Sequence, residues 1–116
     1  MITQVLQEIE QHVTDSDFSL NQLSDQFHVS ASYLSRIIKE EVHCTFSELI
    51  NEKRLTQART LLLSEPPLLM WEIAEQCGFT SQHYFCRVFK NRFGLTPQQY
   101  RQMMKEENSG NKPKSA

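Results

Sequence analysis

One stretch of the sequence decides how the rest is interpreted: GFTSQHYFCRVFK, from Gly78 to Lys90. At a helical advance of about 100° per residue, one side of this stretch collects four apolar residues: Tyr84, Phe85, Val88 and Phe89. The other side collects five residues within about 140° of one another: Gln82, His83, Cys86, Arg87 and Lys90. We therefore predict a helix with one face in a hydrophobic core and the other face available to a partner.

The same pattern occurs earlier in the chain and forms an internal repeat. At an offset of 51 residues, Tyr33 matches Tyr84 and Thr45 matches Thr96. Before the turn the offset is 50, so the second turn contains one extra residue. Each copy consists of a short helix, a tight turn and a longer helix. This arrangement is typical of a helix-turn-helix motif.

Helix boundaries are marked by capping residues and prolines. Three capping boxes indicate helix starts: Ser19 with Gln22, Thr45 with Glu48, and Thr96 with Gln99. Pro97 suits the first position of a helix, and the adjacent Pro66 and Pro67 end the helix before them. Seven helices are predicted: Ile2 to about Val13, Leu20 to about Phe27, about Ala31 to Val42, Phe46 to about Leu63, Met70 to Cys77, Gln82 to Phe93, and Pro97 to about Lys105.

The predicted fold class is all-α, with two helix-turn-helix subdomains joined by a long linker helix. We assign residues 1–44 to the first subdomain, 45–63 to the linker, 64–106 to the second subdomain and 107–116 to a disordered polar tail. At about 1.5 Å per residue, the linker helix spans roughly 27 Å. Alternating polar and apolar runs are scarce, which argues against β-sheets.

Charge is divided unevenly between the two halves of the chain. Residues 1–50 contain two basic and eight acidic residues, giving −6, and residues 51–116 contain ten basic and six acidic residues, giving +4. These values add to the net charge of −2. If the partner is a polyanion, we expect the second half to bind it more strongly.

Other classes of function find little support in the sequence. Cys44, Cys77 and Cys86 include no CxxC pair, so neither a disulfide framework nor a zinc knuckle is indicated. His83 and Cys86 are three residues apart, but no second pair has metal-ligand spacing, and we predict no metal site. We also predict no enzyme activity and no cofactor, because phosphate-binding glycine loops and catalytic motifs are missing. No apolar run approaches the roughly 18 residues of a membrane span, so a cytosolic protein without a membrane partner is predicted.

The polar faces of the two longer helices carry the predicted binding residues. In a helix-turn-helix module the second helix enters the major groove of DNA, and its N-terminal residues meet base edges. Arginine can donate two hydrogen bonds to guanine and glutamine can pair with adenine, so Arg36, Arg87 and Gln82 are the strongest candidate base readers. Lys39 and Lys90 lie one turn further along and suit phosphate contacts. In the first copy, the residues on this face are Ala31, Ser32, Ser35, Arg36 and Lys39.

Three segments resemble the DNA-binding domain of the AraC/XylS family of bacterial transcription regulators: SASYLSRIIKEE, FSELINEKRLTQARTLLL and EIAEQCGFTSQHYFCRVFKNRFGLTPQQYR. The resemblance extends from about Ile2 to Arg101. It implies two helix-turn-helix subdomains that bind asymmetric sites near promoters and usually activate transcription. Carried over by position, it points to Ser32, Ser35 and Arg36 in the first copy and to Gln82, His83, Cys86 and Arg87 in the second.

The resemblance also implies partners and a cellular setting. Double-stranded DNA at a promoter or operator is the expected partner, and activation implies RNA polymerase as another. A cytoplasmic protein that associates with the nucleoid when bound is expected. Most relatives carry an additional domain that senses a ligand or dimerises, and no such domain fits in 116 residues. We therefore expect that domain to be missing from this chain.

Three positions depart from the family pattern. His43 stands where glycine is usual after the third helix, so His43 adopts a left-handed cap or the turn differs. Leu69 replaces the small polar residue that usually opens the fifth helix, and for the run LLMW, which places Trp71 on the turn, we favour core packing over a protein-contact patch. Cys86 stands where a polar base reader is common, and it would suit contact with a thymine methyl group.

A helical protein-interaction module with degenerate helix-turn-helix units is the alternative to a DNA-binding domain. The acidic first half favours this alternative, whereas Arg36 and Lys39 argue against it. DNA binding should weaken steeply with added salt and a largely apolar protein contact should not. We predict a sequence-specific DNA-binding domain whose second subdomain contributes more of the affinity than the first.

Overall fold

The computed structural model describes residues 1–108, which form seven α-helices and no β-strand. In chain order the helices are α1 (Ile2–His12), α2 (Leu20–Gln26), α3 (Ala31–Val42), α4 (Phe46–Leu62), α5 (Met70–Cys77), α6 (Gln82–Phe93) and α7 (Pro97–Asn108). The predicted all-α fold class is confirmed. The predicted ends of the first six helices agree with the structure to within a residue.

The last helix is longer than predicted. Helix α7 continues to Asn108, past the predicted end near Lys105. The sequence there contains good helix formers and no glycine or proline until Gly110, so nothing stops the helix at Lys105. Glu107 and Asn108, which we had assigned to the tail, therefore belong to α7. The rest of the predicted disordered tail, residues 109–116, lies outside the described residues.

The three predicted capping boxes are present as pairs of reciprocal hydrogen bonds. For α4, the Glu48 backbone N–H donates to Thr45 Oγ1 at 3.1 Å and the Thr45 N–H donates to Glu48 Oε1 at 2.9 Å. Equivalent pairs open α2 and α7. At the start of α5, the Leu69 N–H donates to Glu72 Oε1 at 2.9 Å although leucine supplies no cap in return. Together with the serine caps of α3 and α6, these hydrogen bonds place a local side chain at six of the seven helix starts among residues 1–108.

Two hydrophobic cores lie on either side of α4. The first core consists of Val5, Ile9, Val13, Leu23, Leu34, Ile38 and Ile50. The second consists of Leu55, Ala58, Leu62, Ile73, Ala74, Cys77, Phe79, Phe85 and Phe89. Each fully buried large side chain contributes about 1.5–3 kcal/mol, so each motif has an adequate core of its own. Helix α4 supplies residues to both cores and thereby connects the two motifs.

Four residues adopt left-handed backbone conformations at equivalent places in the two motifs. His43 closes α3 with φ 65° and ψ 25°, as Gly94 closes α6 with φ 80°. The left-handed cap is therefore the alternative that His43 adopts. His28 and Gly78, with φ 59° and 95°, occupy the two helix-turn-helix turns. The first motif thus carries two histidines in a conformation that costs non-glycine residues about 1–2 kcal/mol.

A buried arginine and a glycine join the first motif to the second. Arg54 of α4 donates from Nε to the Val13 carbonyl at 2.7 Å and from Nη2 to the Asp15 carbonyl at 3.0 Å. A Cβ atom on Gly78 would lie 2.8 Å from the Val13 carbonyl oxygen and the Thr14 carbonyl carbon. The loop after α1 is therefore packed against the turn of the second motif, in addition to the connection through α4.

The prediction that the apolar run LLMW at residues 68–71 packs into the core is right for Leu68 and Met70 and wrong for Leu69 and Trp71. The buried stripe of α5 consists of Ile73, Ala74 and Cys77, with Met70 packed against the same core. These residues follow the i, i+3, i+4, i+7 spacing of one helical face. Trp71 lies about 100° from Met70 around the helix and is 53% exposed. Its neighbour Leu69 is 59% exposed.

Candidate nucleic-acid interface

Helix α6 is held by its apolar face and presents the predicted residues on the other side. Ser81 caps the helix by accepting a hydrogen bond from the Tyr84 N–H at 3.0 Å. Phe85 and Phe89 are completely buried. Four of the predicted residues are exposed and Cys86 is half-buried. The exposed residues are Gln82, His83, Arg87 and Lys90.

Helix α3 repeats this arrangement in the first motif. Ser30 accepts a hydrogen bond from the Tyr33 N–H at 3.0 Å, and Leu34 and Ile38 are completely buried. Ser35 and Ala31 are half-buried at the edge of the polar face. The predicted residues that are exposed are Ser32, Arg36 and Lys39.

Each candidate base-reading arginine lies over a tyrosine ring on its own helix. Arg36 Cζ is 5.2 Å from the centre of the Tyr33 ring, and Arg87 Cζ is 5.5 Å from the centre of the Tyr84 ring. Cation–π contacts at exposed sites contribute about 0.5–1 kcal/mol. The two contacts restrict the arginine side chains in equivalent ways. The internal repeat explains this equivalence, because each tyrosine precedes its arginine by three residues.

The two arginines differ in their acidic neighbours. Arg36 Nη1 lies 3.4 Å from Glu40 Oε2, one turn further along α3. At the offset of 51, the residue equivalent to Glu40 is Asn91. The ion pairs found among residues 1–108 do not include Arg87. This difference was not predicted from the sequence, although the i, i+4 spacing of Arg36 and Glu40 indicates it.

Several basic residues of the second half donate hydrogen bonds to other groups of the same chain. Arg54 and Arg101 donate to backbone carbonyls, Arg101 to Leu62 at 2.9 Å and to Leu68 at 2.7 Å. Arg92 of α6 donates twice to the Glu52 carboxylate of α4, at 2.7 and 3.1 Å. The guanidinium donors of these three arginines are therefore already used within the protein, although the charge of +4 for residues 51–116, which counts both Arg92 and Glu52, is unchanged.

The two candidate reading helices, α3 and α6, border the same side of α4. An open groove of about 400 Å³ is lined by Ser35 of α3, by Tyr84 of α6, and by one face of α4 that includes Ser47 and Asn51. The Asn51 side chain donates to the Tyr84 hydroxyl oxygen at 3.1 Å. The linker helix thus forms the floor between the two candidate reading helices and contacts both of them.

The cysteine on the reading face is electrically neutral at neutral pH. Burial raises the pKa of the Cys86 thiol, so the uncharged form is favoured. Burial also raises the pKa of Cys77, in the second core, to about 11.

No three histidine, cysteine or acidic residues within residues 1–108 lie close enough together to hold a metal ion. In the same part of the chain, no helix is both long and apolar enough to cross a membrane.

Two helix-turn-helix motifs with exposed basic second helices define the class of the protein as a bipartite helix-turn-helix domain. Comparison with protein families agrees, because a family model described as a helix-turn-helix domain matches residues 23–103. The chain belongs to the AraC/XylS type of this family, as its resemblance implied. It is a DNA-binding domain of a transcription regulator.

Curated relatives are regulators that are considerably longer than this chain. It is 34% identical over 105 residues to an uncharacterized helix-turn-helix-type transcriptional regulator, YfiF, of Bacillus subtilis, covering 88% of this chain and 33% of the relative. It is 38% identical over 87 residues to the xylose operon regulatory protein of Escherichia coli, covering 75% of this chain and 22% of the relative. The chain therefore spans about a third or less of the length of these relatives.

Solved structures share the fold over nearly the whole chain. The C-terminal domain of AraT, a response regulator from Geobacillus stearothermophilus, is 39% identical, with a TM-score of 0.83 over 88% of this chain and 84% of that one. The DNA-binding domain of AdpA, solved in complex with a target DNA, is 20% identical, with a TM-score of 0.83 over 93% of this chain and 96% of that one. The AdpA comparison shows a common fold.

Proposed function

We propose that the chain reads double-stranded DNA in a sequence-specific way by inserting α3 and α6 into adjacent major-groove segments. The observation that carries this proposal is the repeated pairing of an exposed arginine with a tyrosine, at Arg36 and Arg87, on two capped helices. Adjacent major-groove segments on one side of B-DNA are about 34 Å apart. The 17 residues of α4 span about 26 Å, and the flanking loops can supply the rest.

The proposed roles of the reading residues follow from their chemistry. Arg87 and Arg36 would donate to guanine and Gln82 would pair with adenine. The neutral Cys86 suits the methyl group of thymine. Four further residues complete the proposed contacts: Ser32, Ser35, Lys39 and Lys90. Of these, the two lysines would contact phosphates. His83, exposed beside Gln82, would meet a neighbouring base or phosphate.

We propose unequal contributions from the two subdomains, residues 1–44 and 64–108, on either side of the linker at 45–63. Arg36 must leave the Glu40 carboxylate before it can donate to a base, whereas Arg87 has no such competitor among residues 1–108. The second subdomain would therefore provide most of the affinity, and the first would add a second, weaker motif.

The cellular role proposed here is that of a bacterial regulator without catalytic activity, working in the cytoplasm at the nucleoid. A solved relative that is 34% identical is described as a xylose-binding transcription activator, and this chain covers 26% of it. By analogy we propose activation through RNA polymerase. We also propose that a sensing or dimerisation domain works together with this DNA-binding domain, since the curated relatives are about three times as long or longer.

The proposal is tested by selecting bound sequences from a random duplex library and then measuring binding at rising salt. We expect enrichment of defined sequences and a steep fall in affinity between about 50 and 200 mM salt, because phosphate contacts release counterions. Lys90→Ala should reduce the salt slope by about one without changing the preferred sequence. No enrichment, or binding insensitive to salt, would favour the protein-interaction alternative.

Glu40 and Asn91 each lie four residues after a candidate base-reading arginine. Exchanging these two residues should change how strongly each helix-turn-helix module binds DNA. Glu40→Asn gives the first module the residue of the second, and we expect affinity for the selected duplex to rise about two- to fivefold. The reason is that Arg36 is released and a carboxylate near the phosphates is removed. Asn91→Glu should have the opposite effect. Affinities are measured by fluorescence anisotropy.

The control for this exchange is Glu41→Gln, which removes a carboxylate next to Glu40 that does not pair with Arg36. We expect its effect to be smaller than that of Glu40→Asn and to disappear at moderate salt. Equal effects of the two variants would show that only net charge matters. In that case the ion pair would not explain the weakness of the first module.

A further inference from the structure

The start of α5 differs sharply from the equivalent start of α2. At the offset of 50, Ser19 and Asn21 of the first motif correspond to Leu69 and Trp71 of the second. Both apolar residues are more than half exposed. Tryptophan is expensive to leave in water, and the core of the second motif is already filled by the other face of α5. Trp71 is therefore an exposed apolar surface at the start of α5 that is available to a partner.

The surroundings of Trp71 connect it to the reading helix. Trp71 borders an open groove of about 440 Å³ that runs along the turn to the first residue of α6, Gln82. Thr80 and Ser81 line the same groove. Thr80 is the extra residue that the second turn has relative to the first. The indole and two hydroxyl groups thus lie beside the end of α6 that we assign to base contacts.

We propose that Trp71 packs against the sugar–phosphate backbone of the DNA strand that borders the major-groove segment read by α6. This inference rests on the proposed function, since it requires α6 to enter the groove. The first helix of a helix-turn-helix motif crosses the DNA backbone, so a strand beside α6 passes the start of α5. The indole offers a flat apolar face to a deoxyribose and an N–H donor to a phosphate oxygen.

Among residues 1–108, a single charged residue lines the groove, so this contact depends on uncharged donors. Glu75 also lines the groove and would repel a phosphate placed close to it. The strand is therefore expected to lie towards Trp71 and Thr80, whose N–H and O–H groups can donate to phosphate oxygens. Asn21 occupies the equivalent place in the first motif and has no comparable apolar face. The contact is expected to strengthen the second module alone.

Trp71 is the only tryptophan in the chain, so its fluorescence reports directly on this contact. We expect saturation with the selected duplex to lower acrylamide quenching of Trp71 at least about twofold. Trp71→Ala should weaken binding about fivefold to tenfold on every duplex and leave the preferred sequence unchanged, because a backbone contact carries no sequence information. Trp71→Phe should fall between, since it keeps an apolar ring and loses the N–H. Met103→Ala, which removes another exposed apolar side chain, should bind normally.

Several results would overturn the inference. One such result is that the Trp71 variants bind DNA as the unsubstituted chain does and that acrylamide quenches Trp71 equally in the free protein and in the complex. The exposed Trp71 surface would then face another protein instead of DNA. If Trp71→Ala instead changes the preferred base, the residue reads sequence and the backbone assignment is wrong. In an ethylation-interference experiment, the number of phosphates whose ethylation blocks binding should be smaller by one or two for Trp71→Ala than for the unsubstituted chain. An unchanged pattern would also contradict the inference. Failure of the proposed function itself is distinguishable, because no duplex would then be enriched at all.

Discussion

Replacing Arg87 with alanine is expected to weaken binding to the selected duplex by about 1–3 kcal/mol and to relax the preference at one base pair. The side chain is exposed on α6, restricted by the Tyr84 ring, and without an ion-pair partner among residues 1–108. A bidentate bond from arginine to guanine supplies discrimination of about this size. The measurement is a titration of the variant against the selected duplex and against single-base changes of it.

Two companion variants give this prediction its control. Arg87→Lys keeps the positive charge and loses the planar pair of donors, so it should retain general DNA affinity while losing the base preference. Arg36→Ala should cost less than Arg87→Ala, because Arg36 already has Glu40 as a partner. If Arg87→Ala lowers the affinity equally for all DNA sequences, Arg87 contacts a phosphate and not a base. An equal or larger loss from Arg36→Ala would contradict the unequal division between the modules.

Replacing Gly78 with alanine is expected to lower the free energy of unfolding by about 2–4 kcal/mol. Its φ of 95° is costly for alanine, and the new Cβ atom would meet the Val13 and Thr14 backbone at 2.8 Å. Backbone atoms cannot rotate aside as the end of a flexible side chain can. Urea unfolding followed by circular dichroism measures the change.

Gly94→Ala is the matched control for the Gly78 variant. Gly94 has a similar φ of 80°, but nothing lies within 4 Å of a Cβ atom placed on it. Its substitution should therefore cost only the left-handed conformation, about 1–2 kcal/mol. The difference between the two variants measures how tightly the loop after α1 packs against the second motif. Equal costs would contradict the contact that joins the motifs.

Local signals account for most of what the sequence predicted correctly. A capping box involves residues three apart, and an amphipathic face involves residues three or four apart, so both can be recognised without knowing the fold. The internal repeat added the pairing of the two motifs. For the same reason the reading faces of α3 and α6 could be assigned residue by residue, although their contacts with DNA stay predictions.

Contacts between distant parts of the chain explain what the sequence did not reveal. The bond from Arg54 to the Val13 carbonyl joins residues 41 positions apart, and a count of charges treats Arg54 as available to a partner. Trp71 was misjudged because hydrophobicity alone predicts burial. The stripe that starts at Met70 and continues through Ile73 leaves Trp71 on the side facing solvent.

The most direct test of a bipartite reader is the dependence of affinity on the spacing between two selected motifs. Because the two reading helices are tied together through α4, Arg54 and Gly78, affinity should peak when the motifs lie about one helical turn of DNA, 10–10.5 base pairs, apart. Inserting about five base pairs should lower affinity to that of a duplex with only the α6 motif, and Arg36→Ala should then have no further base-specific effect. Affinity that does not change with spacing, while both motifs still contribute, would contradict the account.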